Sequence, residues 1–123
     1  MKKELMEELY PDCPIRNIIT RFSNKWAILI LYSLEKQSPM RFNELRKNIA
    51  DISQKMLTSN LRTLEEDGLI HRKIFAEIPP RVEYSLSKRG KSLIPHLNAL
   101  IIWAKEEMPG ILSDRNKKSG DMA

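Results

Sequence analysis

Residues 53–64, Ser-Gln-Lys-Met-Leu-Thr-Ser-Asn-Leu-Arg-Thr-Leu, carry the strongest chemical signal in this 123-residue chain. Leu57, Leu61 and Leu64 recur at helical spacing and define one apolar face. At about 100° per residue, Lys55, Ser59 and Arg62 point directly away from it, with Thr58 and Thr63 beside them. No acid falls on that outer stripe before Glu66. Short hydroxyls, Lys and Arg approach phosphates without repulsion. The hydroxyls and Gln54 bond base edges or backbone, and Arg62 suits guanine or a phosphate. Gln54 and Lys55 fall in the first turn, where a recognition helix contacts bases.

The second signal is a local excess of cations. Residues 71–91 hold Arg72, Lys73, Arg81, Lys88, Arg89 and Lys91 against Glu77 and Glu83, a net charge of +4, within a chain of net charge +5. A basic patch of this kind is the electrostatic footprint of phosphate binding. Arg72 and Lys73 read as general phosphate attraction. Arg81, at the tip of the hairpin described below, is placed to reach an adjacent minor groove. A solvated loop charge is the competing reading of Arg81, as an ordinary solvated face is for the stripe on 53–64.

Catalysis is the rival chemistry, and Cys13, His71 and His96 are its candidates. No spacing brings a nucleophile, a base and an orienting group together, so the chain is not read as an enzyme. One Cys and two separated His are too few for a Cys- or His-rich metal site, so no metal or cofactor is expected. The alternative outside chemistry is a winged helix used only for protein–protein contact, against which the acid-free stripe argues.

These side chains need a frame. Pro14 suits the first position of a helix running to about Phe22. Ser23 or Asn24 then caps a helix over about 24–36, whose Trp26, Ile28, Leu29, Ile30, Leu31 and Leu34 leave little polar face. Gln37-Ser38-Pro39 breaks the chain, and Phe42, Leu45 and Ile49 mark a short third helix. Ala50-Asp51-Ile52 is a tight connection, Ser53 caps the fourth helix, and Gly68 stops it. The period then changes. Residues 69–75 are rich in strand formers, and Val82, Tyr84 and Leu86 alternate with Glu83 and Ser85. Residues 76–81, with Pro79 and Pro80, form a stiff loop between the strands. Ser87 caps a final helix to about Met108, with Leu93, Leu97, Leu100, Ala104 and Met108 in one stripe and Pro95 a kink or early-turn residue. The order predicts a mainly α fold with a small β-hairpin: a winged helix-turn-helix, in which a hairpin follows the second helix of the motif.

Length and composition agree with one folded domain over residues 1–123, with a core over about 13–108 and a polar, frayed tail at 113–123. Hydrophobic residues make up 41% of the chain and charged residues 30%, the balance of a globular protein rather than a disordered one. The single cysteine excludes an internal disulfide and fits a reducing, cytoplasmic setting. The acidic N-terminus is unlike a secretory signal, and the apolar run from Trp26 to Leu34 is too short to span a bilayer, so no membrane partner is expected.

Two blocks are specific enough to carry a resemblance. Residues 52–69 read Ile-Ser-Gln-Lys-Met-Leu-Thr-Ser-Asn-Leu-Arg-Thr-Leu-Glu-Glu-Asp-Gly-Leu, and residues 79–86 read Pro-Pro-Arg-Val-Glu-Tyr-Ser-Leu. Together with Cys13-Pro14-Ile15 and Lys25-Trp26, the chain over about 13–105 resembles the HxlR-type bacterial transcription regulators, relatives of the MarR type. The small residue often found before Lys-Trp is Asn24 here. The resemblance implies a homodimer, joined through first and last helices, on an inverted-repeat operator in double-stranded DNA. The surplus apolar positions Ile94, Leu97, Ile101 and Ile102 fit that dimer, though each also fits a monomer core. Cys13 gains a role as well. A thiol before Pro14 lies at a helix N-terminus with Arg16 near in sequence, and both favour the thiolate. Some relatives of this type sense oxidants or electrophiles through a cysteine at this place, which makes Cys13 a candidate sensor and an oxidant or small molecule a candidate effector.

Overall fold

The chain's first legible cap is Asn24. In the computed structural model, which describes residues 14–22 and 24–121, the Asn24 Oδ1 accepts from the N–H groups of Trp26 (2.9 Å) and Ala27 (3.2 Å). Two of the orphan donors of a helix start are thereby satisfied. Ser23 and Cys13 lie outside the described residues. The helix so capped, α2 (Lys25–Lys36), follows α1 (Pro14–Arg21). It buries Ala27, Ile30, Leu31, Ser33 and Leu34, while Leu29 remains exposed. The helix with little polar face is thus buried along one side, while Leu29 on another stays exposed.

A two-residue strand, β1 (Met40–Arg41), leads directly into α3 (Phe42–Asn48). The sequence reading placed no strand here, because two residues carry no period. It forms by tertiary pairing: Met40 lies opposite Tyr84 and Arg41 opposite Glu83. Met40 is almost wholly buried. After the turn that holds buried Ile49 and Ile52 comes α4 (Gln54–Glu66). Ser53 Oγ accepts from the Met56 N–H at 3.1 Å, as a good N-cap does.

α4 ends in a left-handed turn. Gly68 has φ +73°, and the Leu69 N–H reaches back to the Leu64 carbonyl at 2.9 Å. This is the glycine-dependent stop that satisfies otherwise orphaned carbonyls. The chain then makes the hairpin β2 (Ile70–Phe75) and β3 (Arg81–Leu86), giving a three-stranded antiparallel sheet in the order β1-β3-β2. The expected hairpin is thus two strands of a three-stranded wing.

The last helix, α5 (Lys88–Asp121), is bolted to the end of α4. Ser87 donates its N–H to the Leu69 carbonyl (3.0 Å) and its hydroxyl to the Gly68 carbonyl (2.6 Å). The same hydroxyl oxygen accepts from the Gly90 N–H (3.0 Å), so Ser87 is the N-cap the sequence called for. Arg89 donates to the Asp67 carbonyl at 2.9 Å, and Arg21 of α1 lies 3.1 Å from the Asp67 carboxylate. Three elements meet at this one corner.

α5 is longer than its apolar stripe predicts. It passes Met108 and runs to Asp121, with Pro95 and Pro109 inside it. Its buried hydrophobic residues are Ile94 and Leu97, and every residue from Lys105 to Gly120 is exposed. At about 1.5 Å per residue the helix spans roughly 51 Å, far more than the core beneath it needs. The core itself joins α2, α3, α4 and the sheet, with Ile30, Leu31, Leu34, Met40, Leu45 and Leu57 fully enclosed.

Candidate nucleic-acid interface

The face of α4 opposite its leucines is open. Leu57, Leu61 and Leu64 are buried, and Gln54, Lys55, Thr58, Ser59, Arg62 and Thr63 are all exposed. Helical geometry thus brings the reading candidates Gln54, Lys55, Thr58, Ser59 and Arg62 onto one accessible surface. Asn60, also in this helix, is turned inward, and its amide donates to the Met56 carbonyl at 2.9 Å. It helps hold the helix and is not on the reading face.

The wing lies beside this surface. A groove of about 580 Å3 separates α4 from the sheet, lined by Thr58, Arg62, Glu65, Glu66, Arg72 and Tyr84 among others. Arg72 Nε lies 3.3 Å from Glu65 Oε2. That pair links β2 to α4, and with both side chains partly exposed it holds them only weakly. Tyr84, at the back of the groove, has its phenol pushed above its ordinary pKa by burial, aided by Glu65 and opposed by Arg72. It therefore keeps its proton throughout the physiological range.

Arg81 is placed differently from a free tip cation. It opens β3 opposite Phe75. Its guanidinium lies 3.9 Å from the Phe75 ring centroid, 3.2 Å from Glu77 Oε1 and 3.1 Å from Glu83 Oε2. Its Nε is shut off from water and makes no hydrogen bond, so the Glu83 contact is ionic rather than a directed bond. Lys73 is the more accessible wing cation, exposed and 4.9 Å from the same ring.

One polar cluster with two cations escaped the sequence reading. Asn43, Arg46 and Lys47 are exposed together on the outer side of α3, the first helix of the motif. In a helix-turn-helix that helix crosses the phosphate backbone. The signal is an Arg-Lys pair on the polar side of the Phe42, Leu45 and Ile49 stripe.

The proposed dimer residues divide. Ile94 and Leu97 are 8% and 6% exposed and belong to the monomer core, so the structure withdraws them from any free surface. The first turns of α5 pack them against the rest of the domain. Ile101 is half-buried and Ile102 is exposed. Beside Ile102, α5 exposes Leu100, Trp103, Met108 and Leu112, and α1 exposes Ile15, Ile18 and Ile19. Among the described residues no group of three or more His, Cys, Asp or Glu is placed to hold a metal, and no helix is long and apolar enough to cross a membrane.

A two-helix motif with an open polar second helix, flanked by an antiparallel wing, defines a winged helix-turn-helix protein. Within that class the chain belongs to the HxlR-like helix-turn-helix family, whose model matches residues 21–111, and it is a transcriptional regulator of the helix-turn-helix type. It is 45% identical over 93 residues to an uncharacterized HTH-type transcriptional regulator of Methanothermobacter thermautotrophicus, covering 76% of this chain and 70% of the relative. The solved transcriptional regulator YtfH of Salmonella typhimurium superposes with a TM-score of 0.78 at 33% identity, over 88% of this chain and 96% of that one. The redox regulator HypR in its reduced form gives 0.76 at 34% identity, over 81% and 98%. These MarR-like neighbours agree with the mainly helical fold and its small sheet.

Proposed function

We propose that this protein binds double-stranded DNA sequence-specifically as a homodimer on an inverted-repeat operator. The observation that carries the reading is the exposed face of α4, free of acids from Gln54 to Thr63. There Gln54, Lys55, Thr58, Ser59 and Arg62 stand clear while the leucines behind them are buried. α4 enters the major groove, and Gln54, Lys55, Thr58, Ser59 and Arg62 meet base edges and flanking phosphates. Arg72 and Lys73 of the wing, with Arg46 and Lys47 of α3, hold the backbone on either side. The dimer rests on the apolar side chains that the monomer leaves uncovered on α1 and α5. An apolar surface of this kind, rimmed by charged residues, suits a protein contact.

Footprinting of the DNA around the protein's own gene, followed by affinity measurement against salt, tests the reading. The expected result is a two-fold symmetric footprint and a log Kd that rises with log salt by about 0.9 for each phosphate neutralised. A salt-independent interaction, or a monomer on a single half-site, overturns it.

Cys13 is proposed as a thiol sensor acting through a mixed or intersubunit disulfide. Its place in the sequence directly before α1 and the likeness to a redox regulator support this. Diamide is expected to change the operator affinity of the wild-type protein and to leave Cys13→Ser unaffected. An equal diamide response in the two proteins removes the sensor.

A further inference from the structure

The wing tip carries acids where a DNA-approaching surface should not, and Arg81 is bound to both of them. We propose that Arg81 is an internal counter-ion and positioning residue of the wing, which neutralises Glu77 and pins the loop, and does not itself contact DNA. The proposal rests on the DNA-binding reading above and assigns Arg81 a different task within it.

The strand register shows the arrangement. Phe75 faces Arg81, and Lys73 faces Glu83, so these four side chains share one face of the hairpin. Arg41 of β1 lies opposite Glu83 on its other side. Glu83 therefore has two cross-strand cations besides Arg81. Glu77 stands in the loop, and among the described residues its ion pair is with Arg81. Phe75 closes the arrangement from below, its ring against the guanidinium at 3.9 Å, a favourable cation–π placement. The Arg81 side chain is only 27% exposed. To reach a minor groove it would have to leave the ring and both carboxylates at once.

The consequence is electrostatic. With Arg81 in place, Glu77 presents a neutralised pair to the duplex. Without it, an uncompensated carboxylate stands at the part of the wing nearest the phosphates, where like charges oppose association. The loop geometry also depends on the pair. The Glu77 N–H donates to the Phe75 carbonyl at 2.8 Å, so the residue held by Arg81 is the one that turns the loop.

Two variants and two readouts test the inference. Arg81→Gln is expected to weaken operator binding about tenfold. Arg81→Gln combined with Glu77→Gln is expected to recover most of that loss, with the wild-type salt slope throughout. A direct phosphate contact gives the opposite pattern: no recovery in the double variant and a salt slope lower by about 0.9 per wing. Either of those results overturns the proposal. In the free protein, hydrogen exchange at the Glu77 amide should quicken in Arg81→Gln, and unchanged exchange removes the pinning role. If the wild-type protein binds no DNA at all, the function proposed above falls, whereas the pinning of the loop stands or falls on the exchange measurement alone.

Discussion

Gly90→Ala is expected to lower the stability of the free protein by about 2–3 kcal/mol, the upper part of the usual cost of overpacking a buried site. A methyl group at this position would be driven into the backbone carbonyl of Leu69, with the Leu86 side chain also crowding it at 3.2 Å. The carbonyl cannot move aside, because it already accepts the Ser87 N–H. Gly90 is itself held by its N–H to the Ser87 hydroxyl. The first turn of α5 must therefore lift away from the end of α4, and the Arg89 and Ser87 bonds to Asp67 and Gly68 go with it. Urea unfolding is the direct measurement. A midpoint within error of wild type means that the junction is looser than described. Gly68→Ala is the natural comparison, since its added methyl meets the movable end of the Arg89 side chain and a positive φ rather than a carbonyl.

Ser59→Glu should have the largest effect on function with little effect on stability. Ser59 is exposed in the middle of the reading face, between Lys55 and Arg62, so the longer side chain meets no core. Glutamate is also a better helix former than serine. A carboxylate there faces phosphates and base acceptors, and like-charge opposition in an interface costs several kcal/mol. A loss of about 3 kcal/mol corresponds to more than a hundredfold weaker operator binding. The unfolding midpoint should stay near that of the wild type. Retained operator affinity in this variant would show that α4 does not lie in the groove.

The legible parts of the fold were those with a period. Leu57, Leu61 and Leu64 fixed the inward face of α4 and hence its outward one, and Val82, Tyr84 and Leu86 fixed the inner face of β3. Caps were legible for the same local reason: Ser53, Ser87 and Gly68 act on atoms within a few residues, as does Asn24. β1 was not legible. Met40 and Arg41 become a strand only because β3 passes beside them, and two residues cannot advertise that. Ile94, Leu97 and Ile102 show a different limit. Periodicity groups them as apolar, but whether an apolar side chain meets its own chain or another depends on how α5 lies on the core.

Arg81 shows what a single residue type leaves out, namely the partners around it. Its type and its place in a loop suggested a groove contact, and a residue-type reading stops there. The acids at positions 77 and 83 were equally visible in the sequence. With alternation known, Glu83 falls on the same strand face as Arg81, and Phe75 follows from pairing across the hairpin. A charge at a loop edge with acids on both sides should be read first as satisfied within the loop. Arg72 teaches the milder version of this, since Glu65 engages it from the neighbouring helix at 3.3 Å.

The length of α5 has a geometric consequence for operator choice. A helix of roughly 51 Å acts as a ruler when two copies cross. In the proposed dimer, the residue at which the rods touch fixes how far apart the two α4 helices stand. Sliding the crossing point by one helical turn shifts each α4 by about 5.4 Å along the rod. Successive major grooves on one side of B-DNA recur at about 34–36 Å, so only a narrow set of crossing points places both α4 helices in register. The exposed side chains of Leu100, Ile102, Trp103, Met108 and Leu112 offer several such points. Half-site spacing would then be encoded far from any residue that touches DNA, in which apolar side chain of this rod meets its twin.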